Sequence, residues 1–166
     1  MKHSHLRRPA TLALALGLAA CSQLLSSCQQ QQLAADYPGY KMAPYTVKGV
    51  HYVPMSVDQA LHYRAEGIAS HYEADGRRGA IGQKLYEGCL YAAHRTLPLP
   101  CVVRITNLSN GRSCKARVAD RGPFINNRLI DVSSEVAHRL GFHSKGLDRV
   151  RVEVLSVGDG PWKRTL

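Results

Sequence analysis

Two side chains stand where acid–base chemistry is commonly done. Asp120 lies in Val118-Ala119-Asp120-Arg121-Gly122-Pro123-Phe124, where an apolar run meets a Gly-Pro turn. A carboxylate at a strand's end, on a loop held by a rigid scaffold, is a common catalytic position. His94 lies in Tyr91-Ala92-Ala93-His94-Arg95-Thr96-Leu97-Pro98-Leu99-Pro100, ahead of a Pro-rich turn. Each has an ordinary alternative role. Asp120 could close an Asx-turn or pair with Arg121, and His94 could be a hydrogen-bonded core histidine. Asp131 is a third candidate, in Leu129-Ile130-Asp131-Val132-Ser133. Its ordinary role would be electrostatic support of a helix that starts after Ser133. Gly67-Ile68-Ala69-Ser70-His71-Tyr72 is a further candidate stretch.

These residues need strands to hold them. Ile68–Tyr72, Leu90–Ala93, Val102–Asn107, Ser113–Val118, Leu129–Val132 and Val150–Val157 read as short strands. Leu108-Ser109-Asn110-Gly111 is a turn that makes a hairpin of residues 102–118. Ser133 reads as the N-cap of a helix from Ser134 to Leu140, with Gly141 as its stop. Upstream, Ser56 and Gln59 have the spacing of a capping box. The spacing predicts a helix reaching Arg64 or Ala65 and stopping at Gly67. Residues from Tyr37 to Pro54 read as an extended arm. The fold class is mainly β, a small closed six-stranded barrel with short helices.

The ends carry a different message. Lys2, Arg7 and Arg8 precede an apolar run from Thr11 to Ala20 that ends in small residues, the pattern of a secretory signal. The run is about ten residues, too short to span a bilayer of roughly 30 Å. Leu18-Ala19-Ala20-Cys21 resembles a bacterial lipobox, in which the Cys is acylated and becomes the new N-terminus. Ser22 is not the Asp that retains such proteins in the inner membrane, which favours the outer one. Residues 22–36 are polar and Gln-rich and read as a tether. The expected layout is a signal over 1–20, tether and linker over 21–43, the barrel over 44–157 and a tail over 158–166. The formal net charge of +10 falls to about +7 without the signal. It suits an anionic wall or membrane surface. Export and the lack of any basic helix or RNA-binding motif argue against nucleic acid. Cys28, Cys89, Cys101 and Cys114 allow three complete pairings, and sequence does not choose among them. With no Cys-x-x-Cys pair and eight scattered His, neither a metal nor a cofactor is expected.

GIASHY, AAHRTLPLP, VRITNLSNGRS, DRGPF and LIDVS, in this order, resemble the rare lipoprotein A family over about residues 44–155. Pro44-Tyr45-Thr46-Val47-Lys48-Gly49 resembles that family's lead-in. The resemblance implies a double-psi β-barrel related to expansins. It also implies lytic cleavage of peptidoglycan glycan strands poor in stem peptides, leaving 1,6-anhydro-N-acetylmuramic acid ends. Asp120 and His94 would be catalytic, and Gln83, Asp131, Arg121 and Tyr72 would contact substrate. Cell-division proteins are implied as partners, and lipid on Cys21 ties the chain to a membrane. The chain departs from the family at three points. Gln83 stands where the family has the Glu of Gly-Glu, to which catalysis is ascribed. His71 replaces a frequent Trp, and the C-terminal peptidoglycan-binding module is absent from this sequence. Glu87, four residues past Gln83, is a possible substitute carboxylate. Two readings follow: a lytic transglycosylase, or a non-catalytic, expansin-like glycan-binding lipoprotein.

Overall fold

The computed structural model describes residues 39–166. The signal 1–20, the lipidation residue Cys21, the tether 22–36 and Cys28 lie outside the described residues.

The upstream arm is a hairpin. Strand β1 (Tyr45–Val47) pairs antiparallel with β2 (Val50–Tyr52), and Lys48 and Gly49 turn the chain with φ of 49° and 79°. Two successive residues at positive φ match the twist of a tight hairpin. Tyr45 and Tyr52 stack across it at 5.2 Å, and the Phe124 ring packs on both.

Helix α1 (Val57–Leu61) starts at the expected capping box: Gln59 N–H donates to Ser56 Oγ, and Ser56 N–H donates to Gln59 Oε1. It ends sooner than the sequence predicts. Strand β3 (Arg64–Tyr72) begins at Arg64 and runs straight through Gly67. The cause is tertiary. Residues Arg64 to Ser70 pair with the C-terminal strand β8 (Leu147–Val157), and Glu66 faces Arg149 and Arg151 there. Gly67 is therefore no helix stop. A Cβ on it would lie 2.7 Å from the Leu129 Cβ, so only glycine permits this approach.

Four more strands complete the barrel: β4 (Tyr91–Ala93), β5 (Cys101–Asn107), β6 (Ser113–Asp120) and β7 (Arg128–Ser133). The closed order is β3-β7-β4-β6-β5-β8. The β3/β7 and β4/β6 pairs are parallel and the rest antiparallel. Closure removes exposed edges, which a lone small sheet would carry. Strand β5 alternates strictly, burying Cys101, Val103, Ile105 and Asn107. Strand β8 buries Val150, Val152 and Val154 against them. Strand β6 extends two residues past the predicted end, to Asp120, because β4 supplies a partner there.

Helix α2 (Ser134–Leu140) covers the barrel with Val136, Ala137 and Leu140, and ends at Gly141 in the left-handed conformation, φ 75°. Ser133 holds the N-cap position but does not cap with its side chain. Its Oγ donates to Cys89 O at 2.8 Å and accepts from Tyr91 N–H at 3.3 Å, tying β7 to the start of β4. Past β8, Asp159 accepts both guanidinium nitrogens of Arg117, and Arg164 bridges back to Val157. Cys101 and Cys114 are free thiols, which removes every pairing that used either. Among the described residues no helix is long and apolar enough to cross a membrane.

Candidate active site

The barrel's register aligns the acidic candidates. Ala93, the last residue of β4, pairs with Asp120 of β6 on one side and Asp131 of β7 on the other. Asp131 in turn pairs with Ser70 of β3. Directly paired residues share a face of a sheet. Four adjacent strands thus carry Ser70, Asp131, Ala93 and Asp120 in one row. At roughly 4.8 Å per strand, the backbones of the two aspartates lie about 10 Å apart. A register shift beside Ala92/Ala93 puts Asp120, not Ala119, opposite Ala93. Such bulges re-aim a side chain next to a functional site.

The Asp120 carboxyl is half-buried. Its Oδ1 accepts from Arg121 N–H at 2.8 Å and Ala80 N–H at 3.0 Å, and Arg77 stands 3.9 Å from Oδ2. Burial raises its pKa above the usual carboxylate range, opposed by those N–H groups and by Arg77 and Arg121. Asp131 is raised for the same reason, with the Ser70 hydroxyl and Arg128, 3.9 Å away, working against burial. The buried Tyr72 hydroxyl has no hydrogen-bond partner among the described residues. Burial, then the charges of Asp120 and Asp131, push its pKa up. Its ring lies under Arg77, 4.8 Å from the guanidinium carbon.

Ala80 reaches Asp120 because residues 76–85 fold back on themselves. Gly76 N–H donates to Leu85 O, Leu85 N–H to Arg77 O and Gly79 N–H to Gln83 O. Gly79 is essential to the fit: a Cβ there would lie 2.8 Å from Ala119 O on β6. Gln83 sits inside this loop, 8% exposed, and neither amide atom has a partner among the described residues. Glu87 is exposed to solvent.

His94 is buried, and its N–H bonds Asp120 O at 3.1 Å, extending the β4/β6 ladder. Its ring makes no hydrogen bond to the Asp120 carboxyl among the described residues. Nδ1 accepts from Thr96 N–H at 3.2 Å and Leu97 N–H at 3.1 Å, so the ring proton belongs on Nε2, which faces Tyr63 Oη at 3.1 Å. Burial, helped by Arg95 and Arg121, pushes its pKa down to about 3. The ring is neutral at physiological pH. Arg121 braces the same turn, donating to the carbonyls of Leu97 (2.5 Å), Arg95 (3.3 Å), His94 (3.4 Å) and Lys41 (2.9 Å).

The register thus gathers Asp120, Asp131 and the His94 backbone, with Tyr72 and Gln83 close by in the fold. Sequence reasoning missed Arg77, Tyr63 and Arg128, and gave Ser70 no role of its own within the candidate stretch Gly67–Tyr72. Arg128 directly precedes a named motif, but Tyr63 precedes its strand and Arg77 lies in a loop with no signal of its own.

The family profile described as lytic transglycolase matches residues 64–152, from the start of β3 into β8. Several curated relatives bear the name endolytic peptidoglycan transglycosylase RlpA. The one from Pasteurella multocida is 40% identical over 135 residues, 80% of this chain and 46% of its own length. Those from Campylobacter jejuni (41%; 70% and 42%) and Pseudomonas aeruginosa PAO1 (47%; 68% and 33%) are similar. This chain spans less than half the length of these relatives. An expansin from Clavibacter michiganensis, solved with cellohexaose, is a looser structural likeness: 17% identity over 60% of this chain and 54% of that one, TM-score 0.48. The matched segment holds the whole Ser70–Asp131–Ala93–Asp120 row and the Gln83 loop, and by that match the chain belongs to the lytic transglycolase family, with a double-psi β-barrel fold.

Proposed function

We propose that this domain is an endolytic lytic transglycosylase on peptidoglycan glycan strands poor in stem peptides, with Asp120 as its acid and then its base. One observation carries the reading: the Asp120 carboxyl is anchored through Oδ1 by two N–H donors while burial raises its pKa. A carboxyl whose pKa is raised keeps its proton to higher pH than a free carboxylate, as donation to a leaving glycosidic oxygen requires. The C1–O bond breaks as the same sugar's O6 bonds to C1. The O6–H proton returns to Asp120, so no water is consumed. Neutral His94 then serves as a positioning residue, holding with Arg121 the 94–97 turn behind Asp120. Gln83, whose amide atoms have no partner among the described residues, suits a sugar hydroxyl or N-acetyl group; Asp131 stands in the acidic row and Tyr72 two residues along β3 from Ser70. Relatives named for this activity support the reading.

Gln83 also favours a second reading, non-catalytic glycan binding in the manner of expansins, because an amide cannot transfer a proton. Digestion of sacculi stripped of stem peptides separates the two. Wild-type protein should release anhydro-ended fragments and Asp120→Asn should not. No product from wild type, alongside product from Gln83→Glu, would overturn the catalytic reading, and pull-down of the wild-type protein with glycan would then support the binding role.

The same reading gives the chain a signal over 1–20, lipid on Cys21 and an envelope location facing the wall, the outer membrane favoured. The motif Leu-Ala-Ala-Cys carries this. A tether from lipid to barrel raises the local concentration of a weak binder at the wall. Palmitate labelling that persists in a Cys21→Ser variant would sink the anchor assignment.

A further inference from the structure

Outside the acidic row, a second group of side chains meets where β3 leaves the barrel. His71, Glu73 and His143 each offer one ligand atom, and these atoms lie within 4.8 Å of one another. His71 Nε2 donates to the His143 carbonyl at 3.1 Å. That bond leaves the lone pair on Nδ1, on the side of Ser134 Oγ at 3.4 Å. Metal-binding histidines fix their tautomer in this way, by donating the other ring N–H to a carbonyl or carboxylate. The His143 ring stacks on His71 at 4.5 Å and on His138 at 3.7 Å. Glu73 Oε1 accepts from Ser134 Oγ at 2.6 Å, so its carboxylate is already oriented toward the group.

We propose that His71 Nδ1, a His143 ring nitrogen and the Glu73 carboxylate bind one divalent transition-metal ion of the Zn²⁺ or Cu²⁺ kind. Two imidazoles and a carboxylate suit such ions, whereas Mg²⁺ and Ca²⁺ prefer all-oxygen shells. The sequence spacing hides the site, because His143 is 72 positions from His71. The site does not depend on the glycan reading, since it uses none of the acidic row.

The test is Zn²⁺ competition between the full-length chain and a chromophoric chelator at neutral pH. One equivalent should bind, and Glu73→Gln and His143→Gln should each weaken binding at least about tenfold. His62→Asn, outside the cluster, should leave it unchanged. Melting curves show that each variant is folded. With Cu²⁺, electron paramagnetic resonance should show coupling to two imidazole nitrogens in wild type and to one in His143→Gln. Equal affinity in all variants, or no saturable binding below the millimolar range, overturns the proposal. So does binding abolished only by blocking the thiols.

Discussion

Asp120 and Asp148 share the local sequence Asp-Arg, and each accepts the following residue's N–H, at 2.8 and 2.9 Å. Their fates are opposite. Burial alone would raise the Asp148 pKa, but hydrogen bonds from Lys145 (2.9 Å), Ser109 (2.8 Å), the Arg149 N–H and Asn107 (3.1 Å) hold it far below the carboxylate range. These donors approach both oxygens, and Asp148 becomes a strut between β5, β8 and the 107–112 turn. At Asp120 only Ala80 N–H joins Arg121 N–H, both on Oδ1, and Arg77 stays 3.9 Å away. Burial wins there. The number of donors aimed at a carboxylate drawn out of water decides whether it is structure or a candidate acid.

The sharpest break in this contrast is Asp120→Asn. Loss of a general acid should lower anhydro-product release about 10²–10⁴-fold. Its melting temperature should hold or rise slightly. The folded pKa is raised, so folding opposes the ionised form, and that penalty grows as pH rises through the folded pKa. The same sign makes activity fall as pH rises through that value. Asp148→Ala should do the reverse, costing about 3 kcal/mol in urea unfolding by leaving Lys145 and Asn107 without their acceptor, with activity per folded molecule retained. Its depressed folded pKa means that Asp148 stabilises the fold above its unfolded value of about 4. That contribution is lost as pH falls below that value toward the folded pKa. Asp148→Asn should therefore flatten the acid limb of a stability–pH profile. Gly79→Ala tests whether the Ala80 donor can be detached. Its Cβ meets Ala119 O, and the strain should cost about 1–2 kcal/mol, with product release falling alongside. Tyr63→Phe is the mildest. It removes the partner of His94 Nε2 and should cost about 1 kcal/mol by thermal unfolding, with the acid limb unchanged.

Much of the fold is legible locally. The capping box at Ser56, the Leu-Ser-Asn-Gly turn, the alternation of β5 and the Gly141 stop each declare themselves within a few residues. The first half of β3 does not. Arg64 to Gly67 follow a helix and hold no strand signal, and they extend only because β8 supplies ladder partners and opposite charges. In the site, Asp120 and His94 stand out by position in the sequence. Their actual relation, a backbone bond with the ring turned toward Tyr63, does not.

What the sequence determined by itself was short-range: strand periods, caps, turns, the signal-like start, and the motif set whose family match covers the barrel. The Gly-Pro after Asp-Arg at 120 marked that aspartate as a candidate, but nothing in either Asp-Arg pair said which donors would surround the carboxyl. Only closure of the barrel, which set Asp120 beside β4 and Ala80 but surrounded Asp148 with Asn107, Ser109 and Lys145, separated the two aspartates. A carboxylate's pKa depends on what lies within a few ångströms, and for both of them part of that arrives from far along the chain, Ala80 at Asp120 and Asn107 and Ser109 at Asp148.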